Sequence, residues 1–404
     1  MGERAGRRRP LARALLAATA GAALLAGCAG GPAADRAASQ PTDPETSDTG
    51  GTDGQAGGPS EEPAAEEPPP EETAPPAPAT GAATPAGAPV EGLDDACCVA
   101  RLPDGDLLVG ARTTGALTRV TPAGEVTPFG QVSGLTGNNA GELLGLAVDP
   151  AFEGDGGNGD GIYAFYSGAD GNQLYRYLYQ PDAEPGAQLG GSGSNVLRNV
   201  AAPLPRGDQR NGGVLAFGAD GMLYVGTGDA GEAGLADDPD SPAGKILRLE
   251  PDGSVPDDQL SQGSPIYSRG HPEVLGMAWD ERTELLWSVS RTAEGTVEVA
   301  SNAPGSAGGD ALHSWTTDEV EPAGLALVAG SLWVPSTVGP SLWRLPLAGA
   351  ELAGAPQELL AGELPAPLAV LPGAEPDELR LLAGGGTDAA GEEGPGSLLG
   401  FTVE

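Results

Sequence analysis

The chain has 404 residues, of which 57 are acidic and 20 basic, for a formal charge of −37 at pH 7. No basic stripe is available to neutralise phosphates, which argues against a nucleic-acid partner; the acidity itself favours solubility and repulsion from anionic surfaces. With two histidines, His271 and His313, far apart in sequence, a histidine-built metal site is not expected.

Residues 1–28 read as an export signal. Arg4 and Arg7 to Arg9 give a positive start, and "LARALLAATAGAALLAG" gives an apolar stretch too short and alanine-rich for a membrane-spanning helix. It closes in Leu25-Ala26-Gly27-Cys28, which resembles the lipobox of bacterial lipoproteins, where the cysteine is lipidated and becomes the new N-terminus. The expectation is a lipid-anchored protein on the extracytoplasmic face of a bacterial cell membrane, attached through Cys28. The alternative is an ordinary signal peptide that contains a cysteine.

Residues 29–91 consist almost wholly of Ala, Pro, Gly, Thr, Ser, Asp and Glu, with "EEPAAEEPPPEETAPPAPA" at the centre. Such a segment cannot bury enough apolar surface to offset its ordering entropy, so a disordered linker is predicted. As a coil it holds its domain roughly 40 to 50 Å from the anchor.

Residues 92–404 suffice for one large domain and repeat a phrase. An apolar run, a turn carrying Asp, Gly or Pro, a second apolar run, a glycine-bounded gap and a third strand recur in order. The clearest copies are "VARLPDGDLLVGARTTGALTRV" and "LAFGADGMLYVGTGD" continued by "GKILRLEPDGSV". Weaker copies begin at "LGLAVDPAF", "LGMAWDERTELLWSVS", "LALVAGSLWVPSTVGPSLWRLPL" and "LAVLPGAEPDELRLLAGG". Six copies with almost no helical periodicity predict an all-β fold, a six-bladed β-propeller whose radial blades leave only short edges. A pair of β-sandwiches would not explain the repeated phrase.

Four stretches together, "GELLGLAVDPAF", "NGGVLAFGADGMLYVGTGD", "SPAGKILRLEPDGSVPDD" and "IYSRGHPEVLGMAWD", resemble the soluble quinoprotein glucose/sorbosone dehydrogenases. Those are six-bladed propellers that oxidise sugars with pyrroloquinoline quinone. The resemblance runs from about Cys98 to the C-terminus. It implies a pocket at Arg210, Asn211, Gly212, Gly213, Asp229, Gly270 and His271.

In that family a histidine before the glycine pair takes the sugar's hydroxyl proton, and an aspartate in the following Gly-Asp orients it. An alcohol gives up hydride only when its proton has somewhere to go, and imidazole can accept one near neutral pH. Here the histidine's position is Arg210 and the aspartate's is Asp229. Guanidinium cannot serve as a base. The family's Gly-His-Arg-Asn-Pro-Gln-Gly stands here as Gly270-His271-Pro272-Glu273-Val274-Leu275-Gly276, its calcium loop is replaced by "SVSRTAEGTVEVAS", and the last blades offer only Arg344 toward the quinone's carboxylates. The expectation is no catalytic residue, no metal and no cofactor. The present role would be binding an envelope carbohydrate, small ligand or protein. A divergent quinone-dependent sugar dehydrogenase, with quinone and calcium and with Asp229 or Glu142 as base, is the alternative.

Arg210 is expected to pair with Asp229; pointing to solvent, or anchoring an acidic ligand, are the other readings. His271 either lines the channel or serves a structural hydrogen-bonding role. "EGDGGNGDG", with Glu153, Asp155, Asn158 and Asp160, is either a solvated hairpin insertion or a loop wrapping a hard cation. Cys97 and Cys98 are adjacent, so either they form a vicinal disulfide or at least one stays a buried thiol.

Overall fold

The computed structural model describes residues 76–135, 141–198, 202–232, 234–385 and 394–404, all within the unit Pro70–Glu404, the second of two in the chain. The export signal, Cys28 and the linker up to residue 75 lie outside the described residues. Within the span 29–91 expected as a disordered linker, the described residues 76–91 include strand structure. Strands β1 (Ala83–Pro85) and β2 (Val90–Leu93) both pair antiparallel with the last strand of the chain. The reason lies in the backbone: β1 joins an open sheet edge through N–H and C=O groups, which a reading of apolar side chains does not register.

Six sheets follow in chain order. Blade 1 is β3 (Ala96–Arg101), β4 (Leu107–Ala111), β5 (Ala116–Val120) and β6 (Val126–Gln131). Blade 2 is β7 (Glu142–Val148), β8 (Gly161–Gly168), β9 (Gly171–Tyr179) and β10 (Leu189–Asn195). Blade 3 is β11 (Gly212–Phe217), β12 (Leu223–Thr227), β13 (Lys245–Leu249) and β14 (Ile266–Arg269). Blade 4 is β15 (Glu273–Asp280), β16 (Leu285–Arg291) and β17 (Thr296–Asn302), then β18 (Ser306–Ala307), which extends blade 3 instead, and β19 (Asp310–Thr316). Blade 5 is β20 (Ala326–Val328), β21 (Ser331–Ser336), β22 (Ser341–Ala348), β23 (Glu351–Leu352) and β24 (Gln357–Leu359). Blade 6 is β25 (Pro367–Pro372), β26 (Glu378–Ala383) and β27 (Gly396–Val403), completed by β1 and β2. The all-β six-bladed propeller predicted from the repeat is therefore present, and the N-terminal strands close its ring.

The core is divided into seams, one between each pair of neighbouring blades. Phe129, Leu143 and Ile162 belong to the seam of blades 1 and 2, Tyr163, Leu174 and Val225 to that of blades 2 and 3, and Trp287, Val299 and Leu332 to that of blades 4 and 5. Comparable clusters join blades 3 and 4, 5 and 6, and 6 and 1. Each buried Leu, Val or Phe stabilises its seam by about 1.5–3 kcal/mol. Strands such as β12, "LYVGT", are buried along their whole length because they face seams on both sides.

The innermost strands, β3, β7, β11, β15, β20 and β25, contact one another around the axis. Each begins with a β-bulge. The register slips between Ala96 and Cys98, Leu143 and Gly145, Gly212 and Val214, Val274 and Gly276, and Pro367 and Ala369. In blade 5 the inner chain advances four residues from Pro322 to Ala326 while its partner advances three, from Trp333 to Ser336. A bulge places two successive side chains against one on the partner strand and re-aims them. The same device therefore shapes every entry to the central axis.

Candidate functional site

The residues expected in the pocket lie at the entry ends of β11 and β15, where two blades meet. Gly212 and Gly213 have φ of 71° and 114°. A Cβ on Gly212 would come within 2.5 Å of the Gly228 backbone nitrogen, and one on Gly213 within 2.6 Å of Leu144 Cβ. The glycine pair is thus required by close backbone approach and by backbone conformation. Asn211 is structural: its Oδ1 accepts from the Gly207 N–H at 2.9 Å and from Asn172 Nδ2 at 3.0 Å.

Arg210 itself takes φ of 57°, a left-handed conformation costly for a residue with a Cβ, and its carbonyl accepts the Ala230 N–H at 2.9 Å. Its Nε lies 2.9 Å from Asp229 Oδ1. That Nε makes no hydrogen bond, so the contact with the carboxylate is Coulombic. The arginine side chain is 24% exposed and the aspartate 4%, so the pair is partly buried. Asp229 is held further by the Gly231 N–H, which donates to Oδ1 at 2.8 Å, while its own N–H donates to Pro272 O at 2.8 Å across the blade boundary. Of the three readings open for Arg210, the geometry places the side chain beside Asp229.

His271 is buried. It is 1% exposed, with Nε2 hydrogen-bonded to Ser268 Oγ at 2.8 Å and Nδ1 3.4 Å from Ser290 Oγ. Burial, with a smaller contribution from the Lys245 ammonium, pushes its pKa down to about 4. It is therefore a neutral, buried hydrogen-bonding group. Gly270, with φ of 79°, turns the chain into this position.

Other charged residues share this rim. Arg291 Nε donates to Glu273 Oε2 at 3.2 Å and its Nη2 to Glu321 Oε1 at 2.6 Å. Glu273 stands directly opposite Arg291 in the β15–β16 register, and its backbone bridges to Gly228 of blade 3. Desolvation raises the Glu273 pKa, against the opposing effects of Arg291 and Arg210. Arg112 Nη1 lies 3.9 Å from Glu142 Oε2 at the entry of blade 2. Behind Asp229, the fully buried Lys245 ammonium donates to the carbonyls of Leu235, Ala236 and Ala243 at 2.7, 2.8 and 2.9 Å. It ties down the β12–β13 connection beside the site.

Sequence reading missed the Glu273–Arg291–Glu321 cluster, since its partners are separated by 18 and 30 residues and meet only through strand register. Lys245 carried a signal, because it is the single lysine of the chain and heads an apolar strand. Two other expectations resolve elsewhere. Asp160 accepts N–H groups from Glu153, Gly154 and Gly156 at 2.6–2.8 Å, so its carboxylate closes the hairpin insertion on itself. Arg344, the basic residue of blade 5 expected toward the quinone, is buried away from this rim and donates to Gln357 Oε1 and Pro78 O at 3.0 and 2.9 Å.

A glycine pair with its Gly-Asp thus stands at the entry of the third blade of a six-bladed ring. The family model for glucose/sorbosone dehydrogenase matches residues 93–331. The chain belongs to the glucose/sorbosone dehydrogenase family. It is similar to the PQQ-bound aldose sugar dehydrogenase of Streptomyces coelicolor, with 36% identity and a TM-score of 0.72 over 81% of this chain and all of that one. Quinoprotein glucose dehydrogenase B of Acinetobacter calcoaceticus is 27% identical over 46% of this chain and 44% of its own length. An uncharacterised protein of Synechocystis is 27% identical over 52% of this chain and 55% of its own length. The chain thus spans about half the length of these two sequence relatives. Within the family, this member carries an arginine–carboxylate pair at the glycine-pair position.

Proposed function

We propose that this family member binds a neutral carbohydrate at the entry ends of blades 2 to 5 and does not oxidise it. The observation that carries the reading is Arg210, a guanidinium paired with Asp229 where the family's proton acceptor stands. A group that cannot lose its proton cannot take one from an alcohol, and Asp229 is engaged by that arginine and by the Gly231 N–H. The imidazole near the site, His271, is sealed by Ser268 and Ser290.

The residues present do not fit pyrroloquinoline quinone. Its carboxylates need charge-assisted donors. Arg112, Arg210 and Arg291 face Glu142, Asp229, Glu273 and Glu321 instead. The internal stretches 136–140, 199–201, 233 and 386–393, whose structure is not described, contain no lysine or arginine. The replaced calcium loop forms the β16–β17 hairpin, with the cation Arg291 at its start. Alternating guanidinium and carboxylate groups match a polyhydroxylated ligand, which offers hydroxyl donors to the acids and oxygen acceptors to the arginines.

In this reading the propeller stands on its acidic tether at the extracytoplasmic face of the membrane, attached through Cys28. The 36% identity to a PQQ-bound sugar dehydrogenase favours one competing reading, a divergent enzyme. Titration of the protein with the quinone, followed by a dye-linked assay on aldoses, separates the two. The expected result is no tight quinone binding and no oxidation in wild type or Arg210→His, with calorimetric binding of neutral oligosaccharides that Glu273→Gln weakens. Micromolar quinone affinity with sugar oxidation overturns the proposal.

A further inference from the structure

The bulge that opens blade 1 does something the other five do not: it brings two thiols together. On a regular strand adjacent side chains point to opposite faces of the sheet. Here Ala96 pairs with Ala111 and Cys98 with Gly110, leaving Cys97 as the extra residue of the bulge. Both cysteines turn into the seam of blades 1 and 2 with Leu143 and Leu146, at 6% and 5% exposure. Their sulfur atoms lie 2.7 Å apart, and the Cys97 thiol donates to Gly110 O at 3.3 Å. A Cβ on Gly110 would stand 2.9 Å from the Cys98 sulfur, so the glycine opposite keeps room for the pair.

We propose that Cys97 and Cys98 are a two-electron redox site that closes to a vicinal disulfide at the entry of blade 1. The oxidant is an external disulfide, small-molecule or carried by a thiol–disulfide oxidoreductase. The Cys97 sulfur, losing its proton to solvent, attacks one sulfur of that disulfide and releases the other as a thiol. The Cys98 sulfur, losing its own proton, then attacks Cys97 in the mixed disulfide, forms the vicinal bond and expels the second thiol. Two protein thiols are oxidised and one external disulfide is reduced to two thiols.

Other roles for the pair fit the surroundings less well. Burial pushes the Cys98 thiol well up, which disfavours the resting thiolate that a metal ligand requires, so its proton leaves only as the vicinal bond forms. A structural staple gains its stability by closing a long loop, and a bond between neighbours closes none. Adjacent Cα atoms are about 3.8 Å apart, shorter than the usual span of a disulfide of about 4.4–6.8 Å, so such a ring is easily reduced. These properties describe a reversible couple.

The test is peptide mapping of the full chain after exposure to oxidised glutathione, both natively and during refolding, with alkylation in denaturant. Cleavage after Arg36 and Arg101 releases residues 37–101, which contain Cys97 and Cys98 but not Cys28. The expected result is an unalkylated peptide lighter by two hydrogen atoms, which takes up two alkyl groups after reduction. Cys97→Ala and Cys98→Ala chains should each take up one alkyl group or one glutathione and never show the lighter mass. A wild-type peptide that still alkylates twice after oxidation, or that stops at a glutathione adduct, overturns the proposal.

Discussion

Blades 1 and 3 open on the same bulge and surround it with opposite chemistry. At blade 1 the bulge points Cys97 and Cys98 into an apolar seam, where Leu143 and Leu146 surround them. At blade 3 the bulge holds Gly213, Arg210 stands just ahead of it, and behind it lie Asp229, Lys245 and His271, all three nearly or wholly buried. The backbone is the shared scaffold, and burying charge is the local choice. An apolar entry contributes through area removed from water, whereas a buried charged entry is safe only while every member keeps its partner.

The largest effect should come from Lys245, whose removal takes a donor from three carbonyls, of which only Ala236 O keeps another, the Gly270 N–H. Lys245→Met is expected to lower unfolding stability in urea by about 3–5 kcal/mol at pH 7, since each unpaired buried polar group costs roughly 1–3 kcal/mol. A loss below about 1 kcal/mol would place blade 3 on the same footing as an apolar entry.

Next in size is the Arg210–Asp229 pair. Asp229→Ala leaves a partly buried guanidinium uncompensated and is expected to cost about 2–3 kcal/mol, discounted because Arg210 is 24% exposed. The double variant with Arg210→Ala should cost less than the sum of the two single changes by about 1 kcal/mol or more. Additive losses would show that the two charges stabilise the rim independently.

The smallest effect is a pH dependence that blade 1 cannot share. His271 titrates near 6.5 when unfolded and at about 4 when folded, so between those values the unfolded state binds more protons. Its contribution is present above pH 6.5 and is lost as pH falls through about 4. By pH 5 the loss should be about 2 kcal/mol relative to neutral pH. His271→Gln should flatten that part of the stability profile, and an unchanged acid slope would assign it to the carboxylates instead.

Much of this could be read along the chain. Repeated apolar runs punctuated by Asp-Gly turns specify strands locally, so the all-β class and six-fold repeat are legible without contacts. The arginine at the head of the glycine pair is equally legible, because whether a side chain can accept a proton is a property of residue type. The start of the folded domain was not. β1, "ATP", is a strand only because β27 leaves an edge for it.

What the tertiary structure alone decided is which groups meet. Glu273 finds Arg291 through the β15–β16 register, Arg291 reaches Glu321 at the entry of the next blade, and Lys245 finds three carbonyls on a loop folded back over it. Cys97 and Cys98 share a face because one residue of β3 is left unpaired, a slip set by β4 rather than by the cysteines. Strand register is fixed by long-range pairing and seam packing, and a shift of one residue moves every side chain to the other face. Residue types therefore determined the chemistry on offer in this protein, while the ring of blades decided where charge is paired and where thiols touch.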